Sequence, residues 1–154
     1  MYIERSIDIA ADPAVVWAAF ADVERWHEWT ASIKSVTRLE DGPFGVGSRA
    51  RVLQPLIQPA VFRVTEFSPG DHFTWTTSNG GISAVANHRV EAIPGGTRAT
   101  ISLEFTGFPL LILGLWVRWL TNRYFRMETE GLKRRSEANA KTVAAGSSSE
   151  LHQP

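Results

Sequence analysis

The chain has 154 residues, sixteen basic and sixteen acidic side chains, and no cysteine. This length predicts one domain that can bury a core and enclose a pocket. The balanced charge lacks the basic footprint of a nucleic-acid-binding protein, and the missing cysteines exclude disulfides and thiolate chemistry.

The charged, alternating N-terminus predicts that there is no signal peptide, and we expect a cytoplasmic protein. The longest apolar run, Phe108 to Val117, spans about half of the ~20 residues that a bilayer requires, so no membrane-spanning helix is predicted. Six tryptophans and eight phenylalanines suit either a large core or an apolar pocket.

The N-terminal segment predicts one strand and two short helices. Apolar and polar residues alternate over residues 2–9, which indicates a half-buried strand with its isoleucines inside. Asp12, followed by proline, is a suitable N-cap for a first helix. Asp22 begins a second short helix that carries Trp26 and Trp29. These tryptophans either close the open end of the sheet or gate a pocket entrance.

The middle of the chain predicts an antiparallel meander, because its hydropathy period is two and turn residues recur about every ten residues. The connections are too short for a crossover helix, so the sheet needs cover on one face only. The predicted strands are 32–40, 48–54, 60–67, 72–78, 82–92 and 97–106.

The segment from Gly107 to Asn139 predicts a long helix that covers the sheet. Its apolar residues lie three or four positions apart and form one stripe. At about 1.5 Å per residue the helix would be roughly 45 Å long. After Ala140 the composition becomes rich in alanine, glycine and serine, which predicts a disordered tail over 141–154. The stripe consists of Leu110, Leu113, Val117, Leu120, Tyr124, Met127 and Gly131.

Several short motifs occur in a distinctive order. They are Ser6–Pro13 followed by Val16-Trp17, Asp22 with Trp29, Gly47, Trp75, Gly95–Arg98 with Gly107, and Leu132-Lys133. Together with the order of elements they resemble the START-like superfamily, also called SRPBCC, in its polyketide cyclase/dehydrase branch. The resemblance covers residues 2–139 and makes 1–140 the domain. It implies an α+β helix-grip fold, a seven-stranded curved antiparallel sheet wrapped around a long C-terminal helix.

The resemblance also implies an apolar cavity between the sheet and the long helix, which takes lipids, polyketides, hormones, quinones or other hydrophobic molecules. It supplies no catalytic motif that can be transferred. The side chains expected to line this cavity are chosen by their alternation along the strands and by their position on the long helix. They are Trp29, Val36, Val52, Phe62, Phe73, Trp75, Ala86, His88, Val117, Leu120 and Tyr124.

His88 and Tyr124 are the only candidate catalytic residues. His88 shares strand parity with Ala84 and Ala86, so a neutral imidazole in the cavity could act as acid or base. Alternatively it hydrogen-bonds a neighbour in the core or is rotated out by a bulge. Tyr124 needs a partner for its hydroxyl, which is either a ligand or solvent at the cavity mouth.

No metal or nucleotide cofactor is expected. The four histidines, at positions 27, 72, 88 and 152, show no metal-ligand spacing, and there is no nucleophile elbow or phosphate-binding glycine loop. The sequence leaves open which way Arg49, Arg51 and Arg63 face. An inward arginine would imply an acidic group on the ligand.

The start of the long helix is apolar nearly all round, because several large side chains lie off the main stripe. This outer face covers a thick local core, meets a second subunit, or contacts a membrane surface. The off-stripe residues are Phe108, Leu111, Ile112, Leu115, Trp116 and Trp119.

Three functions fit this sequence. The first is a protein, monomeric or homodimeric, that binds or carries a hydrophobic small molecule without inserting stably into membranes. The second is a polyketide cyclase or dehydratase that uses the same cavity to fold its substrate into a reactive shape. The third is a module that docks on a membrane or a partner through the apolar start of the helix.

Overall fold

Seven antiparallel strands form one sheet in the order β1-β7-β6-β5-β4-β3-β2 in a computed structural model, which describes residues 1–150. The strands are β1 (Tyr2–Ile9), β2 (Ser35–Arg38), β3 (Arg49–Leu53), β4 (Ala60–Ser68), β5 (His72–Asn79), β6 (Ile82–Ile93) and β7 (Gly96–Thr106). Helix α1 (Pro13–Ala21) and a 3₁₀ helix (Val23–Glu28) follow β1, and α2 (Leu110–Glu150) follows β7. The predicted helix-grip α+β fold is confirmed.

Alternating hydropathy sets the two faces of the sheet as expected. The register pairs Phe73 with His88 and Trp75 with Ala86 across β5 and β6, and cross-strand partners point to the same face. All four are buried on the inner face of the sheet. The next pairing, of His88 with Ile101 on β7, places the histidine in the centre of the sheet.

A close backbone contact positions α2 over the sheet. A Cβ on Gly131 would lie 2.1 Å from the carbonyl oxygen of Trp29, so only glycine permits this approach. One turn further along, Arg135 donates to Glu28 at 2.8 Å and ties the helix to the end of the 3₁₀ helix. Leu132 and Phe125 are buried in the core on the sheet side of α2.

Three elements differ most from the sequence prediction. The strand predicted over 32–40 is only Ser35–Arg38, because Ser32 turns towards α2 and hydrogen-bonds Glu128. The second short helix is a 3₁₀ helix that ends before Trp29. The tail predicted to be disordered from 141 is helical to Glu150, since the alanine and lysine after residue 139 favour continued helix. Residues 151–154 lie outside the described part of the chain.

Arg49, Arg51 and Arg63 are exposed, so all three face away from the helix. In the middle strands the inward positions belong to Ala50 and Val52, which are buried.

Candidate functional site

A cavity of about 370 Å³ lies between the first half of α2 and the inner face of the sheet. Most of its wall is apolar or aromatic, and residues of the β5–β6 turn, the β3–β4 loop and the start of α2 surround its outer end. The lining includes Ile57, Phe62, Ala84, Leu103, Phe105, Leu113, Trp116, Val117, Leu120, Tyr124 and Phe125.

A smaller inner cavity of about 60 Å³ lies deeper against the sheet. The two cavities share part of their walls, including Phe62, Leu103 and Glu128. We call them the outer and inner cavities. The inner cavity is also lined by Trp26, Ile33, Val52, Gln54, Trp75, Ala86, His88, Ile101 and Phe125. The arrangement is one apolar space whose deep end contains polar groups.

Glu128 is the charged residue in this wall. It is only 6% exposed, and the hydroxyl of Ser32 donates to its Oε1 at 2.9 Å. Since that bond uses the only proton of Ser32, the Thr30 hydroxyl is the donor in its 2.8 Å bond with Ser32. Burial raises the pKa of Glu128 to about 7, against the opposing effect of the Ser32 hydrogen bond. Glu128 therefore exchanges a proton near neutral pH.

His88 faces inward, as the parity of β6 allowed. Its ring stacks on Phe73 with 4.5 Å between centroids, and Trp26, Trp75 and Phe20 surround it. Burial lowers its pKa to about 3, so the imidazole is neutral at physiological pH. Within residues 1–150 its Nδ1 is buried without a hydrogen-bond partner. Of the three environments considered, the ring is not rotated outward, and the hydrogen bond of a core histidine is not observed at Nδ1.

Tyr124 has a partner that the sequence analysis did not consider. Its hydroxyl donates to the carbonyl oxygen of Pro55 in the β3–β4 loop, so its proton is not free to bind a ligand. Burial raises the pKa of its phenol. Tyr124 therefore fixes the loop at the rim of the outer cavity to α2, and it is poorly placed for proton transfer.

Eight of the eleven predicted lining residues border the two cavities. Val52, Phe62, Trp75, Ala86, His88, Val117, Leu120 and Tyr124 do so. Val36 and Phe73 are instead buried in the core, and Trp29 packs against it beneath Gly131. Whether the eight residues contact a ligand remains a prediction.

Sequence reasoning missed Glu128, and the signal that could have found it was helix position. It follows Tyr124 by four residues, so the two side chains share a face of α2. A search for apolar periodicity passes over it, as it passes over Thr121, Thr129 and Ser136, which are also buried on this helix. The carboxyl group that lines the inner cavity together with His88 comes from the helix and not from a strand.

The outer side of the start of α2 is exposed. Leu111, Ile112 and Leu115 are 79%, 82% and 87% exposed, while Leu113 and Trp116 on the same turns line the outer cavity. The thick local core considered for this face is therefore absent among the described residues.

Two further properties follow from the described part of the chain. No helix in residues 1–150 is long and apolar enough to cross a membrane. In the same residues, no three His, Cys, Asp or Glu side chains gather into a group that could hold a metal ion.

Solved structures with the same fold have low sequence identity to this chain. The protein TTHA0849 of Thermus thermophilus has a TM-score of 0.75 at 16% identity and covers 91% of this chain and 99% of its own. The hypothetical protein jhp0584 of Helicobacter pylori has a TM-score of 0.78 at 14% identity, with 88% of each chain covered. The di-domain ARO/CYC BexL of the BE-7585A biosynthetic pathway has a TM-score of 0.69 at 18% identity, covering 89% of this chain and 46% of BexL. These likenesses establish the fold.

Two uncharacterized mycobacterial proteins are similar in sequence to part of this chain. The uncharacterized proteins Rv2574 of Mycobacterium tuberculosis and Mb2604 of Mycobacterium bovis are 30% identical over 102 residues, which is 62% of this chain. The match spans 59% of the length of these relatives. A family model described as polyketide cyclase/dehydrase and lipid transport matches residues 2–137. The chain therefore belongs to the polyketide cyclase/dehydrase and lipid transport family, within the START-like superfamily that its motifs resemble.

Proposed function

We propose that the protein binds or carries a hydrophobic small molecule, such as a lipid, polyketide, quinone or aromatic compound, in the outer cavity. The observation that carries the proposal is an apolar space of about 370 Å³ under α2, which lies within the usual range of about 300–1,000 Å³ for small-molecule pockets. The family description, which names polyketide chemistry and lipid transport, agrees with such a ligand. We place this function in the cytoplasm.

Two neighbouring residues of β6 provide a matched test. Ala84 is buried and lines the outer cavity, whereas Val85 points to the opposite face and is 42% exposed. Ala84→Phe fills the cavity, and Val85→Phe adds a similar ring outside it. Binding of the neutral fluorescent probe N-phenylnaphthylamine should fall about tenfold or more in Ala84→Phe, because a filled cavity loses the apolar contacts of the ligand.

Val85→Phe should bind the probe as the wild type does. Thermal unfolding of each variant checks that it folds, and Thr77→Phe, at a second lining position, replaces Ala84→Phe if that variant is unfolded. Equal binding by the wild type and both cavity-filling variants would show that the probe site lies elsewhere and would refute the proposal.

An enzyme of the cyclase or dehydratase type is a second candidate. It is favoured by two buried titratable groups, Glu128 and His88, in the wall of one inner cavity. Glu128 exchanges its proton near neutral pH, which suits a general acid or base. The test is liquid chromatography with mass spectrometry of the bound molecule before and after incubation, because a product that cyclises without losing water keeps the mass of its substrate. Turnover predicts loss of water or a cyclised product, and Glu128→Gln should abolish it, whereas an unchanged molecule excludes this candidate.

A third candidate, docking on an anionic membrane for ligand exchange, is favoured by the exposed start of α2. The charged residues of this helix between 110 and 127 are three exposed arginines, Arg118, Arg123 and Arg126. Arg123 also lies over the ring of Trp119 at 6.0 Å. Exposed apolar and aromatic side chains beside these arginines suit a surface of anionic lipid. A membrane bound there would lie next to the outer cavity.

One leucine and one valine of α2 provide the test of this candidate. Leu115→Ser should weaken sedimentation with vesicles of phosphatidylglycerol, and Val143→Ser, an exposed change near the other end of α2, should not. Vesicle binding that is unchanged in Leu115→Ser would overturn membrane docking. So would a stable wild-type dimer, detected by sedimentation velocity, that Leu115→Ser disrupts.

A further inference from the structure

The inner cavity has an unusual combination of polar groups for so apolar a space. Among the residues that line it, Glu128 is the ionisable acid and His88 is a neutral imidazole, while aromatic and aliphatic side chains form most of the remaining wall. Neither cavity has a lysine or arginine among its lining residues. A ligand carboxylate or phosphate would therefore meet Glu128 without a counter-charge, which disfavours acidic ligands.

The burial of one nitrogen assigns the tautomer of His88. Its Nδ1 is buried without a partner in residues 1–150, so a proton there would be an unpaired buried donor. Buried donors without partners are rarer in proteins than under-satisfied acceptors. We therefore assign the proton to Nε2, and we infer that this N–H is the donor that His88 presents to the cavity that it lines.

Glu128 supplies the complementary acceptor. The Ser32 hydroxyl occupies Oε1, and a carboxylate has lone pairs for further hydrogen bonds. A group held between an N–H donor and a carboxylate acceptor must both accept and donate. A hydroxyl does both. With Glu128 ionised, a carbonyl or ether oxygen, which only accepts, would leave the carboxylate without a donor, and an ammonium only donates and would meet the imidazole N–H.

The size of the inner cavity agrees with this chemistry. About 60 Å³ accommodates a hydroxyl and the carbon that bears it, since a water molecule occupies about 30 Å³ in the liquid. The outer cavity, about six times larger at about 370 Å³, is left for an apolar body. The shared wall at Phe62, Leu103 and Glu128 lets one molecule extend through both.

We propose that the ligand is a neutral phenol or alcohol with an apolar body, and that it binds with its hydroxyl in the inner cavity between Glu128 and His88. This inference rests on the proposed binding function and adds the chemical class and orientation of the ligand. Ser32 acts as a positioning residue, because its hydroxyl donates to Oε1 of Glu128 and holds the carboxylate in place.

The test compares two probes of nearly equal shape, β-naphthol and β-methylnaphthalene, by isothermal titration calorimetry. Two hydrogen bonds should make β-naphthol bind about tenfold tighter to the wild type. Glu128→Met and His88→Phe should each reduce this preference while leaving the affinity for β-methylnaphthalene within about twofold, since only the hydroxyl contacts are lost. Glu130→Gln, an exposed change on the same helix, serves as the control and should keep the full preference.

The outcomes separate this inference from the binding function. Equal affinities of the wild type for both probes would overturn hydroxyl recognition while leaving hydrophobic binding intact. Failure of the wild type to bind either probe would contradict both. A preference that survives in Glu128→Met and His88→Phe would place the hydroxyl elsewhere and refute the orientation. If these variants do not fold, Ser32→Ala should lower the preference without changing β-methylnaphthalene binding, and an unchanged preference there would also count against the proposal.

Discussion

Replacing Glu128 by glutamine should change how the stability of the protein depends on pH. Burial raises the pKa of this carboxyl from its ordinary value of 4.5 to about 7, so the folded state opposes its ionisation. The unfolded chain loses the proton near pH 4.5, whereas the folded chain keeps it until about pH 7. Between these values the folded state binds more protons, and stability must fall as pH rises.

The magnitude follows from the two pKa values. At about 1.4 kcal/mol for each pH unit, the interval from 4.5 to about 7 corresponds to about 3 kcal/mol of destabilisation above pH 7. Glutamine has nearly the same shape, keeps an acceptor for the Ser32 hydroxyl and cannot ionise. Relative to the wild type, Glu128→Gln should therefore become more stable by about 3 kcal/mol between pH 4.5 and pH 8.

Urea unfolding at several pH values measures this difference directly, with Glu130→Gln as the matched control on an exposed position of α2. Within this range the unfolded chain also takes up a proton on His88 near pH 6.5, but His88 is present in both proteins, so its contribution cancels in the comparison. A stability difference between the wild type and Glu128→Gln that stays constant from pH 4.5 to pH 8 would refute the claim that Glu128 is buried without a compensating charge.

Three further predictions concern other parts of the structure. Gly131→Ala should lower the free energy of unfolding by about 2 kcal/mol or more, because its Cβ would clash with the Trp29 carbonyl, whereas Gly114→Ala, which meets open space, should raise it by up to about 1 kcal/mol in urea unfolding. His88→Phe should resist acid unfolding better than the wild type, whose stability falls from pH 6.5 towards about 3 as the unfolded chain gains a proton. If His88→Phe unfolds at the same pH as the wild type in an acid titration followed by tryptophan fluorescence, this prediction is wrong. Decanoate should displace N-phenylnaphthylamine less well than decanol, because neither cavity has a lysine or arginine among its lining residues, and equal displacement would argue against a neutral ligand.

Most of the fold could be predicted from the sequence, because local patterns determine the strands and the long helix. The strands β5 and β6 follow from strict alternation, which places Trp75, Ala86 and His88 on one face. The long helix follows from residues spaced three and four apart, and a glycine in that stripe, Gly131, marks the close contact with Trp29. These signals depend on neighbours in the chain, so they can be found without coordinates.

The site was less predictable because its contacts join distant segments. Tyr124 meets a carbonyl 69 positions away, and Glu128 meets a serine 96 positions away. No local pattern specifies either pairing. Polar residues on the buried face of α2 are also invisible to hydropathy, although they give the cavity its chemistry. The identity of the inward face could be predicted, whereas the partners of its polar atoms could not.

The central claim is that the space between α2 and the sheet holds a hydrophobic molecule, and native mass spectrometry of the purified protein tests it most directly. The wild type and Val85→Phe should each carry a small molecule that is released on denaturation, and Ala84→Phe should have the mass of the bare chain. If all three have the bare mass after incubation with β-naphthol, or if Ala84→Phe retains the molecule as fully as the wild type, the cavity does not have the proposed function.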